Sequence, residues 1–230
     1  LADITEIPYL HKILNRAMKR ITVILLLCIA NIAIAQKVNI TLKKQLDSVY
    51  ALDQKYREIY MTPEKHAAFE KELSLTPEQA NGRLNFLMMK VDSANIIFIE
   101  AVFKKYGYPG KAMVGEPTNE AAWNVVQHSA KIHQYIPMMK KAANEGELPF
   151  RLYAMMLDRD LMEDNQEQIY GSQVTCRKIK NGERTCFVWP IKDAENVNER
   201  RKKAGFDLPI KEYAKKLGVD YRVVKIDEVR

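Results

Sequence analysis

The chain has 230 residues, with 36 basic against 29 acidic side chains and a formal charge of +7. That length supports one domain with a substantial core; a modest positive charge spread along the chain is weak evidence for an anionic partner, and no nucleic-acid partner is expected. No internal repeat, low-complexity tract or Gly/Ser linker divides it.

In chain order, Met18-Lys19-Arg20 is a short basic segment followed by an apolar run from Ile21 to Ile34, and Ala33-Ile34-Ala35 places small residues where signal peptidase reads. Residues 18–35 are therefore expected to be a secretory signal peptide, and residues 1–17 an over-extended start. The run is shorter than the roughly 20 residues of a bilayer span, so cleavage is favoured over an uncleaved anchor. Cys28 follows three leucines and lacks the small residue that lipid attachment needs, so it reads as a filler discarded with the peptide. The mature chain would begin near Gln36 with 32 basic and 27 acidic side chains. It would work outside the cytoplasm, periplasmic or secreted, with no membrane span after cleavage.

Leu42, Leu46, Val49, Leu52, Tyr56 and Ile59 recur at helical steps and predict an amphipathic helix over about 40–60. Thr62-Pro63-Glu64 and Thr76-Pro77-Glu78-Gln79 are two helix starts, the second with a capping-box pattern. The helix from Thr76 is expected to reach Tyr106, with a break near Gly82 as an alternative, and to stop at Gly107. Helices are predicted over about 118–130, 132–144 and 149–163, then near 194–204 and 209–217. Residues 221–226 read as a short strand or an ordered tail. The run Arg200-Arg201-Lys202-Lys203 is expected to be a solvated helix face.

Cys176 and Cys186 flank Lys180-Asn181-Gly182 in a segment rich in β-branched and aromatic residues, a strong hairpin signal. A three-residue loop over 180–182, with Gly182 left-handed, places Cys176 opposite Cys186, close enough for a disulfide. Two reduced, partly buried thiols are the alternative. The fold class is thus mainly α: a single multi-helix domain over 36–230 with one appended β-hairpin at about 173–189.

Several short pieces together resemble a bacterial family known as domain of unknown function 6624. These are Tyr106-Gly-Tyr-Pro-Gly110, Val114-Gly115, Ala122-Trp123, Val126-Gln127-His128, Asp158-Arg159, Gln168-x-Tyr170-Gly171-x-Gln173 and Trp189-Pro190. Asp53-Gln54-x-x-Arg57, Asp92-x-x-Asn95 and the closing Arg200-Arg201…Gly205…Leu208-Pro209…Tyr213 also fit. The likeness spans about 50–215, and the cysteine hairpin is longer than the plainer loop expected of relatives. The family implies a fold group and no activity.

His128 lies on a helix that looks buried on more than one side, where a histidine is either a core residue held by hydrogen bonds or a general base. Asp158 and Arg159 sit on an apolar helix and need partners, since an unpaired buried charge costs several kcal/mol. Arg57 with Asp53 or Asp92 are the expected structural partners, and the alternative is an arginine clamp on an anionic ligand. Gln168, Tyr170 and Gln173 suit a ligand-binding loop or a structural turn. Zinc-protease, nucleophile-elbow, phosphate-loop and Rossmann patterns are absent, so no cofactor or metal is expected. Three functions follow: a binding or interaction domain with a polar pocket of Asp53, Arg57, Asp92, Asn95, His128, Asp158 and Arg159, with Gln127, Gln168, Tyr170 and Gln173 as further ligand-binding candidates; a hydrolase with His128 as base, Asp158 orienting it and Arg159 stabilising charge; or a structural polar network. The expected partner is a small anionic ligand or another protein.

Overall fold

Helix α1, Ile40–Met61, starts where the Asn39 side chain accepts the Leu42 N–H at 3.0 Å. A computed structural model of the chain describes residues 38–180, 182 and 184–229. The expected signal peptide, the over-extended start and Cys28 lie outside the described residues. Helix α2, Pro63–Leu73, opens on Pro63, but Thr62 makes no side-chain cap bond. At α3, Pro77–Tyr106, the capping box is complete: Thr76 Oγ1 accepts the Gln79 N–H and Gln79 Oε1 accepts the Thr76 N–H. This helix runs through Gly82 unbroken and ends at Gly107, so the alternative break does not occur.

After the short α4, Lys111–Val114, a 3-10 turn at Thr118–Glu120 leads into α5, Ala121–Gln127. The helix expected to reach residue 130 stops earlier because the Ser129 hydroxyl folds the chain. It donates to the Val126 carbonyl at 2.9 Å and accepts the Lys131 N–H at 3.1 Å. His128 is left at the C-cap of α5. Helices α6, Ile132–Asn144, and α7, Phe150–Glu163, then pack on each other. α1 packs on α3 and α5, and α3 on α5. The main core lies among these helices, from Leu42 and Leu46 through Ile99, Trp123 and Met139 to Met156. Nearly every side chain of α5 is buried, and Trp123 Nε1 donates to the Leu152 carbonyl at 2.8 Å.

Strands β1, Val174–Lys178, and β2, Arg184–Val188, form an antiparallel hairpin in the expected register. Cys176 faces Cys186 with Cα atoms 4.0 Å apart, and the two form a disulfide on the exposed face. Gly182 has φ +88°, the left-handed conformation the three-residue loop requires. Phe187, Trp189 and Val224 make a small core beneath the hairpin. A 3-10 turn at Ala194–Asn196 precedes α8, Val197–Lys203, and α9, Ile210–Lys216, follows. Residues 221–225 form no strand. They lie as an ordered tail before α10, Ile226–Val229, and Lys180 N–H donates to the Glu228 carbonyl. The described residues are therefore mainly α with one hairpin. Among them no helix is long and apolar enough to cross a membrane.

Candidate functional site

Asp53 sits on the buried side of α1 and is 1% exposed, an unusual place for a carboxylate. Gln54 Nε2 donates to it at 2.7 Å, and His128 Nδ1 lies 3.2 Å from it. One turn along α1, Arg57 Nη1 donates to the Asp53 carbonyl at 2.7 Å and stands 3.5 Å from its carboxylate. Arg57 Nη2 donates to both oxygens of Asp92 on α3, each at 2.8 Å. One guanidinium thus bridges two carboxylates from two helices, and the end of α5 supplies the imidazole.

The centre of this junction is sealed and its rim is open. The Asp53 side chain has no exposure, while Arg57, Asp92 and His128 keep 18%, 20% and 23% of theirs. Asn95, one turn beyond Asp92, is buried and donates to the Val49 carbonyl at 3.4 Å, which ties α3 to α1. Gln127 is buried too, and its side-chain oxygen has no hydrogen-bond donor among the described residues.

Asp158 belongs to a different arrangement. It is fully buried on α7, and its carboxylate accepts the N–H groups of Ile169, Tyr170 and Ser172 at 2.7, 3.0 and 2.9 Å. Gln168 closes the same loop from inside: its Oε1 accepts the Gln173 N–H, and its Nε2 donates to the Trp189 carbonyl at 2.7 Å. From the other side, Arg200 Nε donates to the Ile169 carbonyl at 3.0 Å and Arg201 Nη1 to the Tyr170 carbonyl at 2.8 Å. The loop's N–H groups meet the carboxylate and its C=O groups meet the guanidinium groups, so opposite charges are joined through peptide units. Burial pushes the Asp158 carboxyl up, against the Tyr170, Ser172 and Ile169 amides that pull it down. Gly171, at φ +69°, has no room for a side chain: a Cβ would lie 2.6 Å from Ile210 Cδ1.

Arg201 overturns the expectation of a solvated face over 200–203, which holds only for Lys202 and Lys203. It is 1% exposed, with its guanidinium 4.5 and 4.6 Å from the Phe206 and Tyr213 ring centres. Burial lowers the pKa of this guanidinium. The signal was legible: Val197, Arg201 and Ala204 share one face at helical spacing, and both apolar residues are buried. Ser172 and Tyr213, whose hydroxyl donates to the Ser172 carbonyl at 3.2 Å, were missed along with it.

The expected residues therefore divide. Asp53, Arg57, Asp92 and His128 converge, with Asn95 and Gln127 beside them in the chain. Asp158, Gln168, Tyr170 and Gln173 build the loop clasp. Arg159 joins neither, since its Nε donates to Glu163 one turn on, at the surface. The structure does not bring His128, Asp158 and Arg159 together as a trio, and the carboxylate on His128 is Asp53.

What these residues define is a mainly helical domain whose hairpin is clasped to its seventh helix by a charged loop. The model of a family of unknown function, DUF6624, matches residues 56–226, and the chain belongs to that family. No curated protein and no solved structure matches it.

Proposed function

We propose that the protein is an exported binding domain whose ligand meets the chain at the Asp53–Arg57–Asp92–His128 junction. The observation that carries this reading is the fully buried Asp53 carboxylate holding one nitrogen of a partly exposed imidazole. Three helices fix that contact, so the rim residues are oriented before any ligand arrives. An exposed disulfide is compatible with an oxidising compartment.

The junction favours a different ligand charge from the one its arginine suggests. Arg57 is committed to Asp92 and Asp53, so it is no free clamp for an anion. With the His128 imidazole neutral, two carboxylates against one guanidinium leave a negative excess that suits a cation or a hydrogen-bond donor. A hydrolase is the second reading, and one observation favours it. His128 Nδ1 is engaged by Asp53, while Nε2 has no protein partner among the described residues, as a general base requires.

A thermal-shift screen of cations and metabolites on wild type, His128→Ala and Asp92→Asn tests the binding reading. A ligand should raise the wild-type melting temperature and lose its effect in both folded variants. Retention of the full shift in both would overturn it. Hydrolysis of ester or amide substrates that disappears in His128→Ala would select the enzyme instead.

A further inference from the structure

We infer that the junction binds one divalent transition-metal ion, held by Asp53, Asp92 and His128. This deepens the binding reading and rests on it. Each of the three residues offers a ligand atom, and those atoms all lie within 4.8 Å of one another. Ligands sharing an ion at about 2.1 Å stand roughly 3.4 Å apart in tetrahedral geometry. The 3.2 Å from His128 Nδ1 to Asp53 is already at that spacing, and an Asp92 oxygen lies within 4.8 Å of both.

The charge balance points the same way. Asp53 is sealed from water, and with the imidazole neutral, as metal ligation requires, Arg57 is the one cation among the described residues that faces both carboxylates, which leaves one negative charge uncompensated at a three-helix junction. An ion supplies the missing positive charge. Arg57 uses a single nitrogen on the two Asp92 oxygens, and a carboxylate oxygen has lone pairs to spare for a second partner. Arg57 and Gln54 then act as the outer hydrogen bonds that orient ligating carboxylates.

One imidazole and two carboxylates form a mixed nitrogen and oxygen set, suited to Zn²⁺ or Mn²⁺ over softer ions. Three protein ligands leave positions open for water or a substrate atom.

The test titrates metal-stripped full-length protein with Zn²⁺ and Mn²⁺ by calorimetry, and with Co²⁺ by visible absorption to report nitrogen and oxygen ligation. One equivalent should bind, and the affinity should fall at least tenfold in Asp92→Asn and in His128→Gln. Both positions are on the open rim, and circular dichroism checks that each variant folds. The described residues hold one other such grouping, His133, Asp160 and Asp164, where the His133 side chain is 83% exposed. Asp160→Asn should leave binding unchanged. Absence of Zn²⁺ and Mn²⁺ binding, binding that survives both rim variants, or binding abolished by Asp160→Asn would each overturn the inference. If no metal binds but an organic ligand loses its effect in His128→Ala, the metal site falls and the binding reading stands. Failure of both screens removes both.

Discussion

Removing the Asp158 carboxylate leaves three N–H groups without acceptors, that of Ser172 buried and those of Ile169 and Tyr170 partly buried. Each such orphan costs about 1–3 kcal/mol, so Asp158→Ala should destabilise by about 3 kcal/mol or more, read as a lower denaturant midpoint. Gly171→Ala should cost about 1–3 kcal/mol in the same assay, because a Cβ at φ +69° collides with Ile210 and Ile191. These residues show what was legible in the sequence. Charged and polar residues on apolar helices identify Asp53, His128 and Asp158 as side chains in need of partners. The partners themselves are set by packing across the chain: Asp53 and His128 are 75 residues apart. The donor-rich environment of Asp158 was invisible for a further reason. Its partners are backbone amides, and those carry no residue signature.

At the scale of elements, the two Thr-Pro helix starts look alike in sequence but differ in bonding. Thr76 is part of a reciprocal capping box, whereas Thr62 makes no side-chain cap bond. Thr76→Ala should therefore cost about 1 kcal/mol and Thr62→Ala only a few tenths, measured by urea unfolding. Helix α3 shows why the pattern could be trusted there. Its start signal, its stop at Gly107 and its length all agree, and one glycine at position 82 costs too little to break it. α5 was harder to bound, because a serine folding back on its own backbone ends it before the apolar pattern does. The hairpin register followed from loop length alone. Reducing its disulfide, which spans 10 residues, should lower stability by at most about 3 kcal/mol, and dithiothreitol melts would show it.

For the whole molecule, pH dependence has two limbs. Burial, reinforced by the Glu100 carboxylate that its phenol donates to at 2.8 Å, pushes Tyr135 up to about 12. A raised folded value favours the protonated phenol, so this contribution is complete below pH 10 and lost as pH rises through about 12. The stability difference between wild type and Tyr135→Phe should shrink across that window. On the acid side, hydrogen bonds from Lys43 and Thr118 lower Asp47, and those from Lys131 and Tyr135 lower Glu100, below their ordinary 3.8 and 4.5. Their contribution is present above those values and disappears as pH falls through the folded ones, which an acid titration of the unfolding midpoint would follow.

The loop between α7 and the hairpin has a consequence for cooperativity. Its peptide groups connect a carboxylate on α7 to arginines on α8, so neither stretch is chemically complete without the other. A chain cut after Glu163 would keep Asp158 and lose every donor that satisfies it. The helical body and the C-terminal third should accordingly melt in a single transition. The amides of Ile169, Tyr170 and Ser172, although they belong to a loop, should exchange hydrogen as slowly as the middle of α7.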